Sequence, residues 1–140
     1  MRASDFPFEL ARIQPQWNGN RGTLVDMEFI SLLTGEEDRF GSRSVRLWEA
    51  GVLDSAEKTR VHVARYEKNS LLGCHPTKLW QLFMVIAGSG WVTGEDGVRR
   101  PISSGEVVLW HPGEEHESGS DTGMSVLLLA STTDPHQTSK

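Results

Sequence analysis

Residues Gly105–Glu117 read G-E-V-V-L-W-H-P-G-E-E-H-E. A glycine opens the run, Val107–Trp110 form a short apolar strand, and Pro112-Gly113 turn the chain. Three residues past that turn, His116 stands among Glu114, Glu115 and Glu117. An earlier histidine, His75, leads into P-T-K-L-W-Q-L-F-M-V-I-A-G, which ends at Gly88. Two histidines far apart in sequence, each beside a predicted strand, point to one polar site inside an all-β fold.

Working outward, the run Leu79–Ala87 is apolar on both parities, the pattern of a strand covered on both faces. Its odd positions are Leu79, Gln81, Phe83 and Val85, so Gln81 is the polar exception on its face. Thr59–Tyr66 alternates with period two, and Ser44–Trp48 and Met124–Ala130 also read as strands. Asp96-Gly97, between Trp91-Val92-Thr93 and Val98-Arg99-Arg100, is a hairpin signal. Short strands separated by turn residues, with no long amphipathic helix, call for a sandwich or barrel.

At 140 residues the chain fits one domain with a real core. A net charge of −5 and scattered basic residues argue against nucleic-acid binding, which needs a basic face. No apolar run is long enough for a membrane span. The N-terminus has no continuous apolar stretch of the secretory kind. The single cysteine, Cys74, leaves no intrachain disulfide framework, so a reduced, cytoplasmic setting is the default expectation.

Residues 1–43 form an irregular extension, expected to pack on the barrel or on a second subunit through Phe6, Phe8, Leu10, Ile13 and Trp17. A mobile tail is the competing reading, and Met27 offers a second candidate start. The segment Met27–Leu33 is too short for periodicity to tell strand from helical turn. Residues 44–131 are assigned to the barrel and 132–140 to a flexible polar tail. A homodimer is expected, because it would cover an open sheet edge.

These residues resemble the cupin superfamily, in particular its small single-domain, type-2-like members, whose fold is an all-β jelly-roll barrel. The second cupin motif runs Gly, five residues, Pro, any residue, Gly, two residues, His. Gly105, Gly113 and His116 occupy its glycine and histidine positions, while His111 stands at the proline position with Pro112 one place later. The first motif runs His-any-His, three or four residues, Glu, six residues, Gly. Counted back from Gly88, its positions hold His75, Thr77 and Gln81, a degenerate form. The resemblance covers roughly residues 44–131.

The resemblance implies a divalent transition metal (Fe, Mn, Ni, Cu or Zn) held by His75, Gln81 and His116, or no metal at all. Gln81 would offer a neutral amide oxygen, a weaker donor than carboxylate. Thr77 and Phe83 are candidate substrate-pocket residues, and Glu115 and Glu117 candidate catalytic acid/base residues. A solvated turn is the commoner origin of such a glutamate run. His62 is read as outward and solvated, His111 as a turn residue and His136 as part of the tail. Cys74 is expected on the face opposite His75.

The implied function is a metal-dependent enzyme acting on a small organic molecule, of oxygenase, isomerase, lyase or cyclase type. The alternative is a metal-free, ligand-binding or sensory cupin. Retention of both histidines favours the first, and replacement of two ligand positions by Thr77 and Gln81 favours the second.

Overall fold

The computed structural model describes residues 27–136. The apolar and β-branched runs become ten strands: β1 Glu28–Ile30, β2 Leu33–Glu37, β3 Val45–Glu49, β4 Thr59–Tyr66, β5 Ser70–Pro76, β6 Trp80–Thr93, β7 Arg100–Ser103, β8 Val107–Trp110, β9 Glu115–Ser120 and β10 Met124–Ser131. Every pairing is antiparallel. One sheet runs β1-β8-β6-β10-β4, and β5 and β7 belong to a second, with β9 joining β5 to β6.

The long strand β6 belongs to both sheets. Its first half pairs with β8 and β10, and Ser89–Thr93 pair with β7 and β9. Between them the β6–β10 register slips, with Ser125 opposite Ala87 but Val126 opposite Val85, so Ile86 is the extra residue. Such a bulge bends a strand and lets it leave one sheet for the other.

Gly88 follows the bulge with φ +85°, a conformation L side chains rarely adopt. A Cβ there would collide with the Gly123 carbonyl oxygen. Gly88→Ala is expected to destabilise the fold by at least ~2 kcal/mol, from strain and collision together. Urea unfolding checks this, and an unchanged midpoint would contradict it.

Alternation along the strands sorts the apolar residues into two layers. The barrel interior holds Phe29, Tyr66, Phe83, Val85, Val92, Ile102, Val108, Trp110, Met124 and Val126. The outer face of the first sheet holds Ile30, Leu82, Val107, Leu109 and Leu129, with Leu53 and Trp80 packed against them. Strand β8 is buried at all four positions because both layers cover it.

Three sequence expectations are corrected here. The barrel does not begin at Ser44, because β1 pairs with β8 and contributes Phe29 to the interior. The Ser44–Trp48 strand is not in the barrel: β3 pairs with β2 in a separate two-stranded ribbon. The segment after Ser131 is not wholly a free tail. Pro135 and His136 are buried, and the Val52 N–H donates to the Pro135 carbonyl at 3.0 Å. The proposed packing residues Phe6, Phe8, Leu10, Ile13 and Trp17 lie outside the described residues.

Candidate functional site

His75 on β5 and His116 on β9 stand directly opposite each other in the strand register. Their ring centroids lie 4.5 Å apart with planes inclined at 55°. His75 is exposed, whereas His116 is buried and stacks on Trp110 at 4.2 Å. Trp110 is in turn fixed by an Nε1–H bond to the Thr93 carbonyl at 3.0 Å and an edge contact with Phe83.

Backbone carbonyls set the tautomer of both rings. His75 Nδ1 lies 2.6 Å from the Gly73 oxygen and His116 Nδ1 lies 3.3 Å from the Glu114 oxygen. A carbonyl only accepts, so Nδ1 carries a proton in each ring, and in the neutral form the lone pair is on Nε2. His116 Nε2 is buried without a hydrogen-bond partner among the described residues. Burial pushes the His116 imidazolium down to about 4, opposed by its bond to the Glu114 carbonyl and reinforced by His75. The ring is therefore neutral at physiological pH.

Gln81 lies in the next layer of the same end. It pairs with Trp110 on one side and Ala130 on the other, which turns it to the inner face, half-buried. Thr77 is differently employed. Its hydroxyl donates to the Leu79 carbonyl at 2.8 Å, and its backbone clasps the Pro-Gly turn through Gly113 and Glu114. Phe83 is fully buried against Trp110 and Tyr66, so it supports the site from below. The Thr77 hydroxyl hydrogen is thus committed to the backbone, and Phe83 offers only its apolar ring. Among the described residues no group of three or more His, Cys, Asp or Glu side chains is placed to hold a metal ion.

The glutamate run divides by strand parity. Glu115 and Glu117 alternate with His116 and Ser118, so they point away from the interior. Cys74 shares that outer face, with Sγ 3.7 Å from Glu115 Oε2. Burial and then the nearby glutamates raise its thiol above the ordinary range. Their outward placement separates Glu115 and Glu117 from the histidine pair by the sheet itself.

Glu114 is the member of the glutamate run that leaves water, although Glu115 and Glu117 were the candidates singled out from the sequence. It is fully buried, and Oε1 accepts the His111 N–H at 3.0 Å while Oε2 faces the Glu95 N–H at 3.4 Å. It therefore ties the Pro-Gly turn to the β6–β7 hairpin. Burial pushes its carboxyl up to about 7, against the pull of these backbone donors. The sequence signal was its position three residues after His111, where a carboxylate satisfies the open N–H of a turn.

His111 itself is no idle turn residue. Its Nε2 lies 2.7 Å from Glu28 Oε2, which raises its pKa, and its ring packs on Trp80 on the outer face. His62 corrects the parity reading. It stands opposite Leu128, which stands opposite Phe83, so His62 shares the inner face and the exposed Val61 and Val63 face outward.

Glu114 and His116 impose opposite pH slopes. The folded pKa of His116 is depressed from 6.5, so its contribution is complete above that value and lost as pH falls toward 4. That of Glu114 is raised from 4.5, so stability is lost as pH rises from there toward 7. The two oppose each other over most of this window. His116→Phe removes one slope, and the metal-free variant should lose up to ~3 kcal/mol relative to wild type's profile between the two ends. Urea titrations across this pH range check it, and parallel profiles for the two proteins would contradict it.

No protein-family model matches the chain. Over 65 residues it is 34% identical to an (R)-mandelonitrile lyase of Granulicella tundricola, a match covering 46% of this chain and 50% of the lyase. The chain thus spans half the length of that curated relative. A cupin-like protein of Thermotoga maritima superposes with a TM-score of 0.51 at 19% identity, over 54% of this chain and 58% of that one. No helix among the described residues is long and apolar enough to cross a membrane. With its two antiparallel sheets joined through one bent strand, and with this structural likeness, the chain has the jelly-roll, double-stranded β-helix fold of the cupin superfamily.

Proposed function

We propose that this cupin binds a divalent transition metal at the open end of its barrel and acts there on a small organic molecule. The observation that carries the reading is the pair of facing imidazoles whose Nδ1 protons are both committed to backbone carbonyls. In the neutral rings that arrangement leaves both Nε2 atoms with a free lone pair, the form in which histidine ligates metal. The buried, partnerless His116 Nε2 fits the same role, because an unsatisfied buried nitrogen is costly unless something occupies its lone pair.

His75 and His116 would hold the ion, with Gln81 as a third, neutral donor or as a hydrogen-bonding group for the bound molecule. When bound, such an ion supplies Lewis acidity toward a carbonyl, alkoxide or enolate oxygen. The chain's own residues do the rest. Trp110 fixes the plane of His116, and the filled interior below Phe83 keeps water from the inner side. The half-length similarity to an (R)-mandelonitrile lyase supports a lyase-type reaction on a small substrate.

A metal-free, ligand-binding cupin is the second reading. It is favoured by the absence, among the described residues, of a third acidic, histidine or cysteine group beside the pair. Imidazole-resolved NMR separates the two during zinc titration of chelator-treated protein. Metal binding predicts that the Nε2 signals of His75 and His116 move together while both Nδ1 protons stay in place. Unmoved signals at millimolar zinc would leave the metal-free reading.

A further inference from the structure

We infer that Arg60, with His62 beside it on the inner face of β4, anchors a carboxylate of the ligand at the barrel mouth. This rests on the small-molecule reading above and names the chemical class of what binds.

The argument begins with register. Arg60 pairs with Ala130, Ala130 with Gln81, and Gln81 with Trp110, a single row across four neighbouring strands. Residues directly opposite in antiparallel strands point to the same face. Even-numbered residues of β4 face inward, as Tyr66 in the interior and Ala64 packed against it demonstrate. Arg60 and His62 continue that series. Yet both are exposed, so the inner face at this end is open to solvent.

The row has a chemical sense. Ala130 carries no side chain beyond Cβ, so the long side chains of Arg60 and Gln81 face each other over a low floor. With strands ~4.8 Å apart, their backbones are separated by about 10 Å, room for one small planar group between guanidinium and amide. Trp110, at the end of the row, bears the His116 ring. A molecule anchored at Arg60 therefore extends past Gln81 toward the histidine pair.

Charge points the same way. Arg39, Arg65 and Arg100 have carboxylate partners, Arg99 packs over the Trp91 ring, and Arg43 and Arg46 belong to the β2–β3 ribbon and its connection, outside the barrel. Arg60 has no ion pair among the described residues. A guanidinium on the inner face of a barrel, with a hydrogen-bonding amide across from it, suits a bidentate carboxylate.

Benzoate and its neutral near-isostere benzamide test this, with wild type and Arg60→Gln compared by calorimetry and by NMR at His75 and His116. Wild type should bind benzoate in preference to benzamide. Arg60→Gln should weaken benzoate about tenfold or more while leaving benzamide unchanged, and Arg60→Lys should restore part of the loss. Because Arg60 is exposed, these variants keep the fold, which circular dichroism verifies. Equal binding of both probes, indifferent to Arg60→Gln, would overturn the anchor while leaving the ligand-binding reading in place. Absence of binding by either probe would overturn the anchor and count against that reading too.

Discussion

His116→Ala is expected to lower affinity for a divalent ion by at least ~100-fold, because it removes one of only two imidazole donors. Equilibrium dialysis against zinc reads this directly. Since His116 is buried on Trp110, the substitution also opens a void. His75→Ala separates the two effects. His75 is exposed, so its loss should abolish metal binding with little change in unfolding midpoint. Metal affinity unchanged in both variants would remove these residues from any ligand role.

Trp110→Ala should be the most damaging single substitution in the barrel. The side chain is fully buried, touches Phe83 at 5.3 Å between ring centroids, and carries the His116 ring on its face. Truncating a buried tryptophan costs about 3–5 kcal/mol. It also strands the Thr93 carbonyl that now accepts the indole N–H. For a domain of this size the expected fall in Tm is roughly 10–20 °C. Trp110→Phe keeps the stacking face and loses the hydrogen bond, so it should cost only about a third as much. Similar midpoints for wild type and Trp110→Ala in a thermal scan would show that the ring does not hold this end of the barrel.

The parts of the fold legible in the sequence were those that the backbone itself specifies. Gly105 and Gly113 both have positive φ, which glycine accepts readily, and they frame β8 as their spacing implied. The doubly apolar Leu79–Ala87 run became a strand covered on both faces as far as Val85, because two layers of side chains sandwich it. Ile86 and Ala87, at the bulge, are exposed. Gln81 likewise followed its strand parity inward.

What escaped was set by long-range partners. Alternation says which residues of β4 share a face but not which face is inside. Val61 and Val63 imply the inner face by hydrophobicity, yet they lie outward on an edge strand, and His62 and Arg60 face in. Glu114 looked identical to its neighbours Glu115 and Glu117. Only the fold brings the Glu95 N–H and the Pro-Gly turn around it and removes it from water. The strand β1 is three residues long, and its identity comes from pairing with β8, a contact 77 or more positions away in sequence for every paired residue.

The central claim is that the Nε2 atoms of His75 and His116 hold a metal ion. Mass-spectrometric metal analysis of untagged protein, purified without chelator and then incubated separately with iron, manganese, nickel, copper and zinc, tests it most directly. The account predicts about one ion per chain with at least one of these metals, retained through gel filtration. Protein that remains empty with all five would contradict it.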